Sequence, residues 1–306
     1  MKTLVVGGTG FIGGATALYL QQQGHDVSIM SRSRPKGTSK LNDLTFVKGN
    51  YIEDDFADGR LEGYDWLVFC AGSDRSDYPA DGSVSEADFF ENANIVGLPR
   101  FFERAKQAGI SRAVYAGSLY SYVAPENIET IPYVRSRHLS DAAVRALSGP
   151  SFNVCSLALP FITGVIPGFN VAHLHALALY GQGLLDIPEF APPGGLNFMD
   201  CHSVAKGMLG GLLRGESGRS YLVGDVNLSW KDYFEMWFRA AGRPRDLEVR
   251  LGHPIMTDYA LSYISYGSSD YEPPEEETAL LGYERGVVIP RFDEGYRYYA
   301  GIAAGA

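Results

Sequence analysis

Gly8-x-Gly10-x-x-Gly13, with Gly7 and Thr9 beside it, is a residue pattern suited to holding a pyrophosphate. Gly7-x-x-Gly10-x-x-Gly13 is a close variant of the same pattern. A chain that binds phosphate this way must turn tightly out of a strand and bring bare backbone close to the ligand. It must then start a helix whose free N–H groups and positive dipole end face the negative charge. An ordinary glycine-rich turn is the plain alternative. The apolar run Thr3–Val6 before it and the helical pattern after it argue for the phosphate turn.

A second cluster lies at the end of the next predicted strand, Val27–Met30. A fold that prefers NAD places an acid there, roughly 20 residues past the glycines, to bind the ribose 2′-hydroxyl. Ser31 occupies that position, followed by Arg32, Ser33 and Arg34, while Asp26 lies at the wrong end of the strand. Hydroxyls and guanidinium groups in place of an acid suit a 2′-phosphate, because Arg grips phosphate with a planar fork. The expected cofactor is therefore NADP(H); a solvated basic loop is the alternative.

These groups need a sheet to hold them. The pattern predicts strands at Thr3–Val6, Val27–Met30, Leu44–Lys48, Trp66–Phe69, Ala113–Ala116 and Phe152–Leu159, with a later one at Tyr221–Gly224. Helices are predicted from Ala15 to Gln23, opening in the acidic segment Glu53–Asp58, from Glu86 to Gly109 with a kink near Gly97-Leu98-Pro99, and from Tyr133 to Leu147. The first of these should bury Ile12, Ala15, Leu18 and Tyr19. An amphipathic helix is expected at Trp230–Ala241, and Asp74–Ser85 reads as a surface loop. Alternating strands and helices imply an α/β fold, a Rossmann-type doubly wound parallel sheet. Ligands in such sheets sit beyond the carboxyl ends of the strands. Gly7–Gly13, Ser31–Arg34, Cys70-Ala71-Gly72, Ser118 and Pro160 all fall there. The expected organisation is a nucleotide-binding domain over 1–164, to which 197–226 returns. A smaller, mainly helical substrate lobe takes 165–196 and 227–306.

The 306 residues are 45% hydrophobic and 20% charged, ordinary for a globular chain with a full core. A net charge of −10 argues against a nucleic-acid partner. Cys70, Cys155 and Cys201 are too widely spaced for a zinc pattern, and no metal is expected. Free thiols, a first strand that follows Met1 directly and the lack of a long apolar run lead to the expectation of a cytoplasmic protein with no membrane partner.

Motifs along nearly the whole chain resemble the extended short-chain dehydrogenase/reductases, the group of NAD(P)-dependent epimerases, dehydratases and ketone reductases. The Gly7, Gly8, Thr9, Gly10, Phe11, Ile12, Gly13 stretch is similar to its cofactor turn. Gly49-Asn50-Tyr51 resembles its adenine-side segment, with Asn50 where the family usually has Asp. Asn94-Ile95-Val96-Gly97 resembles its helix motif with a structural Asn. Val114–Ser118 resembles the strand that delivers a catalytic Ser. Pro132-Tyr133-Val134-Arg135-Ser136-Arg137 is similar to its Pro-Tyr-x-x-Ser-Lys signature. Asn197–Asp200 with Ser203–Ala205, and Ala279–Tyr283, are similar to its later blocks.

The resemblance implies a cofactor lined by these residues and by Cys70, Ala71, Gly72, Pro160, Phe161 and Ile162, the last three facing the nicotinamide carboxamide. It implies Tyr133 as proton donor or acceptor at a carbonyl oxygen, Ser118 as its orienting partner, and Arg137 in the position of the family Lys. A phenol of pKa about 10 needs an adjacent cation to act near neutral pH. Arg supplies charge but shuttles no proton readily. Tyr120 and Tyr122 are further candidates for the pocket wall. The stretch Val165–Leu196, with Phe169, His173, His175, Tyr180 and Phe190, contains no Lys or Arg and is expected over the substrate. An uncharged carbonyl/alcohol pair on a small, mostly apolar molecule is favoured. Arg243 and Arg245 keep a nucleotide-sugar epimerase or dehydratase as the alternative, and Arg137 keeps a non-catalytic NADP-binding regulator. Family members often pair through the two helices around Glu86–Gly109 and Tyr133–Leu147, so a homodimer is expected there, with Phe89, Phe90, Phe101 and Phe102 supplying apolar surface.

Overall fold

The computed structural model describes residues 1–79 and 81–304. Strands β1 (Lys2–Val6), β2 (Asp26–Ser31), β3 (Thr45–Lys48), β4 (Trp66–Phe69), β5 (Arg112–Ser118) and β6 (Asn153–Leu159) join one parallel sheet. A late strand, β9 (Ser220–Leu222), completes it in the order β3-β2-β1-β4-β5-β6-β9. The order reverses between β1 and β4, which opens the crevice where ligands of doubly wound sheets sit. β4 is buried along its whole length because the sheet is covered on both faces. Val5 and Val68 pack into one apolar cluster, while Leu4, Val6, Leu67 and Phe69 pack into another on the opposite face. Adjacent residues point opposite ways, so a continuous apolar run fills two cores.

Helix α1 (Phe11–Gln22) begins at Phe11, well before the expected Ala15. Its buried stripe includes Gly13, Ala17 and Leu20, whereas Leu18 and Tyr19 are only partly buried. The helix expected within Glu53–Asp58 does not form. Asp54 instead accepts the Asn50 N–H, Arg60 pairs with Asp54 and Asp58, and Phe56 takes a positive φ, giving a chain of turns. The kinked helix resolves into α2 (Glu86–Phe90), a π-helical stretch over Glu91–Gly97, and α3 (Leu98–Gln107). The irregularity lies in the wide turns just before Pro99, whose ring leaves one N–H missing where the π-helical turns pass directly into α3. Phe101 and Phe102 are buried in the core under the sheet and Phe90 is buried against Tyr133, so these three supply no dimer surface; Phe89 is only partly buried.

After β5 come the short helix α4 (Tyr120–Val123) and α5 (Pro132–Ala146). Past β6, the chain makes β7 (Phe161–Thr163), α6 (Ala172–Gln182) and β8 (Gly195–Asp200). Helix α7 (Cys201–Arg214) returns to the main sheet and packs on α1. β10 (Val226–Ser229) pairs with β8, and β8 with β7, in a separate three-stranded sheet. Helices α8 (Trp230–Ala240), α9 (Asp258–Ser262), α10 (Glu275–Leu281) and α11 (Val288–Ala304) follow. A third apolar cluster, rich in Trp230, Tyr233, Trp237 and Tyr180, lies under α6, α8 and the small sheet. No helix among the described residues is long and apolar enough to cross a membrane.

Candidate active site

The glycine turn is built by close approach. Gly7 has φ +77°, and a Cβ there would lie 2.6 Å from the Ala71 nitrogen. A Cβ on Gly13 would lie 2.3 Å from the Gly7 carbonyl oxygen. At Gly8 it would run into Ile29, so Gly8 serves the packing of helix on sheet and does not line the cleft. Gly10 caps α1 without any side-chain hydrogen bond, and the first turn of α1 carries no acid. An anion is therefore met by bare backbone at a positive helix end, with no carboxylate in that turn to oppose it.

Two connected chambers open from this turn. One, of about 240 Å³, is lined by Thr9, Ser31, Arg32, Asn50, Tyr51 and Asp77. The other, of about 400 Å³, is lined by Phe11, Ile12, Ser118, Tyr120, Tyr133, Arg137, Pro160, Phe161 and Ile162, with Asp74 and His173. Gly7, Gly10, Cys70, Ala71 and Gly72 border both. Ser33 and Arg34 stand outside the lining, and Arg34 lies over the Phe46 ring at 5.0 Å. Thr9 donates to Ser31 at 2.8 Å, and Arg32 meets Asp77 at 3.4 Å across the small chamber.

Asn94 also lies outside the lining, fully buried behind it. Its amide donates to the Ser73 carbonyl at 3.0 Å and to the Ser136 hydroxyl at 3.1 Å, and its oxygen accepts the Ser73 N–H. It thereby ties the strand end after β4 to α5, which carries Tyr133 and Arg137. The π-helical turns put Asn94 in that position.

Arg137 is buried one helical turn after Tyr133. Its guanidinium donates to the Ala116 carbonyl at 2.7 Å and lies 5.3 Å from the Tyr115 ring centre. Its Nε is buried with no protein partner among the described residues, and its Nη1 lies 2.6 Å from where a Cβ on Gly72 would be. Burial raises the Tyr133 phenol above its ordinary value; the Arg137 charge pulls it down and Asp74 pushes it up. The net direction is upward, so Arg137 offsets burial only in part. Ser118 is nearly buried at the end of β5. Cys70 is a neutral wall, its thiol pushed up to about 12 by burial.

Three neighbours of Tyr133 were not legible as a group. Tyr263, from the turn after α9, stacks on the Tyr133 ring at 4.8 Å with 26° between the planes. Tyr120 meets both rings, at 5.0 and 6.2 Å. Asp74 opens the loop expected to be only surface; residue 80 of that loop lies outside the described residues. Tyr122 points away, to Asp141. Of the Val165–Leu196 aromatics, His173 reaches the cleft, its ring 5.6 Å from Phe161. Its exposed face meets the cleft, yet the crowded walls hold it neutral, down to about 4. Tyr180 and Phe190 are buried around His253 in the lobe core, and His175 contacts Asn170. Away from the cleft, Asp200, Cys201 and His202 cluster, but the Arg291 guanidinium lies 3.1 Å from Asp200.

Residues 3–178 match the NAD dependent epimerase/dehydratase family. The chain belongs to that family. Curated relatives include a UDP-glucose 4-epimerase of Halalkalibacterium halodurans, 25% identical over 42% of this chain and 38% of the relative. Another, from Streptomyces lividans, is 25% identical over 56% of this chain and 52% of its own length, so the match spans about half or less of these two. A Synechocystis protein named for dihydroflavonol 4-reductase is 24% identical over 74% of this chain and 68% of its own length. Among solved structures, the UDP-glucose-4-epimerase of Stenotrophomonas maltophila, with bound NAD and formylated UDP-arabinopyranose, superposes with a TM-score of 0.76. It is 16% identical and covers 100% of both chains. This likeness establishes the shared fold.

Proposed function

We propose that the protein is an NADP(H)-dependent oxidoreductase acting on a carbonyl/alcohol pair in a small, uncharged, mostly apolar molecule. The observation that carries this reading is the lining of the larger chamber. Ser118, Tyr133 and Arg137 share it with apolar and aromatic walls, and Arg137 is the one cation among the described lining residues. A nucleotide diphosphate wants cations. Arg243 and Arg245 both grip Glu189, at 2.6 and 2.9 Å.

The Gly7–Gly13 turn and the start of α1 would hold the pyrophosphate, Asn50, Tyr51, Ser31 and Arg32 the adenosine, and Pro160–Ile162 the nicotinamide side. A bound nicotinamide supplies or accepts the hydride. Tyr133 gives its proton to the developing alkoxide oxygen, and Ser118 orients that oxygen by a hydrogen bond. Arg137 stabilises the phenolate left behind, because its charge is fixed one helical turn away. Its Nη1, beside Gly72, would reach the nicotinamide ribose.

Oxidation of NADPH with a panel of small ketones and aldehydes tests the reading. Turnover of a UDP-sugar, with cofactor retained through purification, favours the second reading, a nucleotide-sugar epimerase or dehydratase, which the names of several curated relatives support. Cofactor binding without any turnover favours a regulatory protein. A homodimer through α2, α3 and α5 is proposed from the family resemblance alone, and light scattering at micromolar concentration tests it.

A further inference from the structure

Asp77 stands opposite Arg32 in the small chamber, and no motif assigns it a role. Its two oxygens face different partners. Oδ1 lies 3.4 Å from the Arg32 guanidinium, and Oδ2 accepts the Asp74 N–H at 3.4 Å, within the short turn Arg75–Asp77. The acid missing at the end of β2 is thus supplied in space by the loop after β4. Among the described residues it is the one carboxylate lining this chamber, beside Ser31, Asn50 and Tyr51. The Arg32 side chain is 70% exposed and Asp77 34%, so their pairing is weak and is opened easily by a competing anion.

We propose that Asp77 is a specificity-determining residue that tempers the choice between the two nicotinamide dinucleotides. A 2′-phosphate must take Arg32 from Asp77 and then lie near a like charge, which costs affinity. A free 2′,3′-diol finds in Asp77 a carboxylate that accepts its hydroxyl hydrogens. The chamber therefore carries one group for each cofactor, Arg32 for the phosphate and Asp77 for the diol. The proposal rests on the NADP(H) reading above, in which Arg32 meets the 2′-phosphate.

The test is calorimetric titration of NADPH and NADH into the full-length protein and its Asp77→Asn, Arg32→Ala and doubly substituted forms. Asn keeps an acceptor for the Asp74 N–H, so the turn is preserved, and a thermal melt checks each fold. Asp77→Asn is expected to tighten NADPH by roughly three- to tenfold and to weaken NADH, the scale of an exposed charge contact. With Arg32 already removed, the gain for NADPH should shrink, because no guanidinium is left to release. Unchanged affinities for both cofactors in Asp77→Asn, or weaker NADPH binding in a folded Asp77→Asn protein, would overturn the proposal. Equal affinities in the unmodified protein would instead count against NADPH preference, and the change on Asp77→Asn would still judge Asp77.

Discussion

At one end of the cleft the ligand would meet backbone; at the other it would meet side chains. The phosphate end is a turn seven residues long, with gaps so tight that Gly13 has no room for a Cβ. The chemistry end is assembled from five distant stretches. Ser118 ends β5 and Tyr120 follows it, Tyr133 and Arg137 lie on α5, Asp74 comes from the loop after β4, His173 from α6, and Tyr263 from the turn after α9. The difference teaches where each function is vulnerable. The first end fails when one atom is added. The second fails when a remote contact that holds a ring is removed.

The largest expected effect on binding follows from adding that atom. Gly13→Ala forces a Cβ against a backbone oxygen that has no alternative place, so NADPH binding should weaken by roughly 100-fold, about 2.7 kcal/mol. Calorimetry reads the loss, and unaltered affinity would show that the turn has slack. Next is Arg137→Ala, which strips a charged donor from the Ala116 carbonyl and should cost about 1.5–3 kcal/mol in denaturant unfolding. Asn127→Ala follows. The buried Asn127 amide donates to the Tyr263 carbonyl and the Ser265 hydroxyl, both at 3.0 Å, and so pins the turn behind Tyr263. Its loss should cost about 1–3 kcal/mol and slow turnover while leaving NADPH affinity intact. A change in affinity as large as the change in rate would dissolve the distinction between the two ends.

Smaller effects concern protons. Burial raises Tyr120, Tyr133 and Tyr263 above the ordinary phenol range. Above about pH 10 the unfolded chain loses these protons while the native state keeps them. Stability is therefore full below that pH and falls as pH rises further; a flat denaturant midpoint between pH 9 and 11 would contradict the burial. Tyr263→Ala should admit water to Tyr133, lower its pKa and move the alkaline limb of the rate profile to lower pH.

The two ends also differ in how far the sequence exposed them. Gly7–Gly13 is contiguous, so strand, turn and helix could be read from spacing, and the strand ends carrying Ser31, Cys70 and Ser118 followed from periodicity. Tyr263 lies 130 residues after its stacking partner, held by a turn with two positive-φ residues, Ser265 and Tyr266, and no local pattern links the two. Asp74 and Asp77 sit in a polar loop whose composition says only solvent. The helix expected after Glu53 failed because acids there found Asn50 and Arg60 nearer than a helical ladder. The phenylalanines of α2 and α3 have the same composition in a core as at an interface. Arg34 and Ser33 were credited by adjacency to Arg32, yet a strand end turns only some of its residues toward the crevice.

The central claim is that Tyr133, held beside Arg137, is the proton donor of a reductase. Stopped-flow oxidation of NADPH by the unmodified protein and its Tyr133→Phe, Arg137→Ala and Arg137→Lys forms, on any ketone the panel finds, tests it most directly. Tyr133→Phe should lose about 10²–10⁴-fold in rate with NADPH affinity nearly unchanged. Arg137→Ala should lose both rate and affinity, and Arg137→Lys should keep or raise activity. Full activity in Tyr133→Phe would contradict the account.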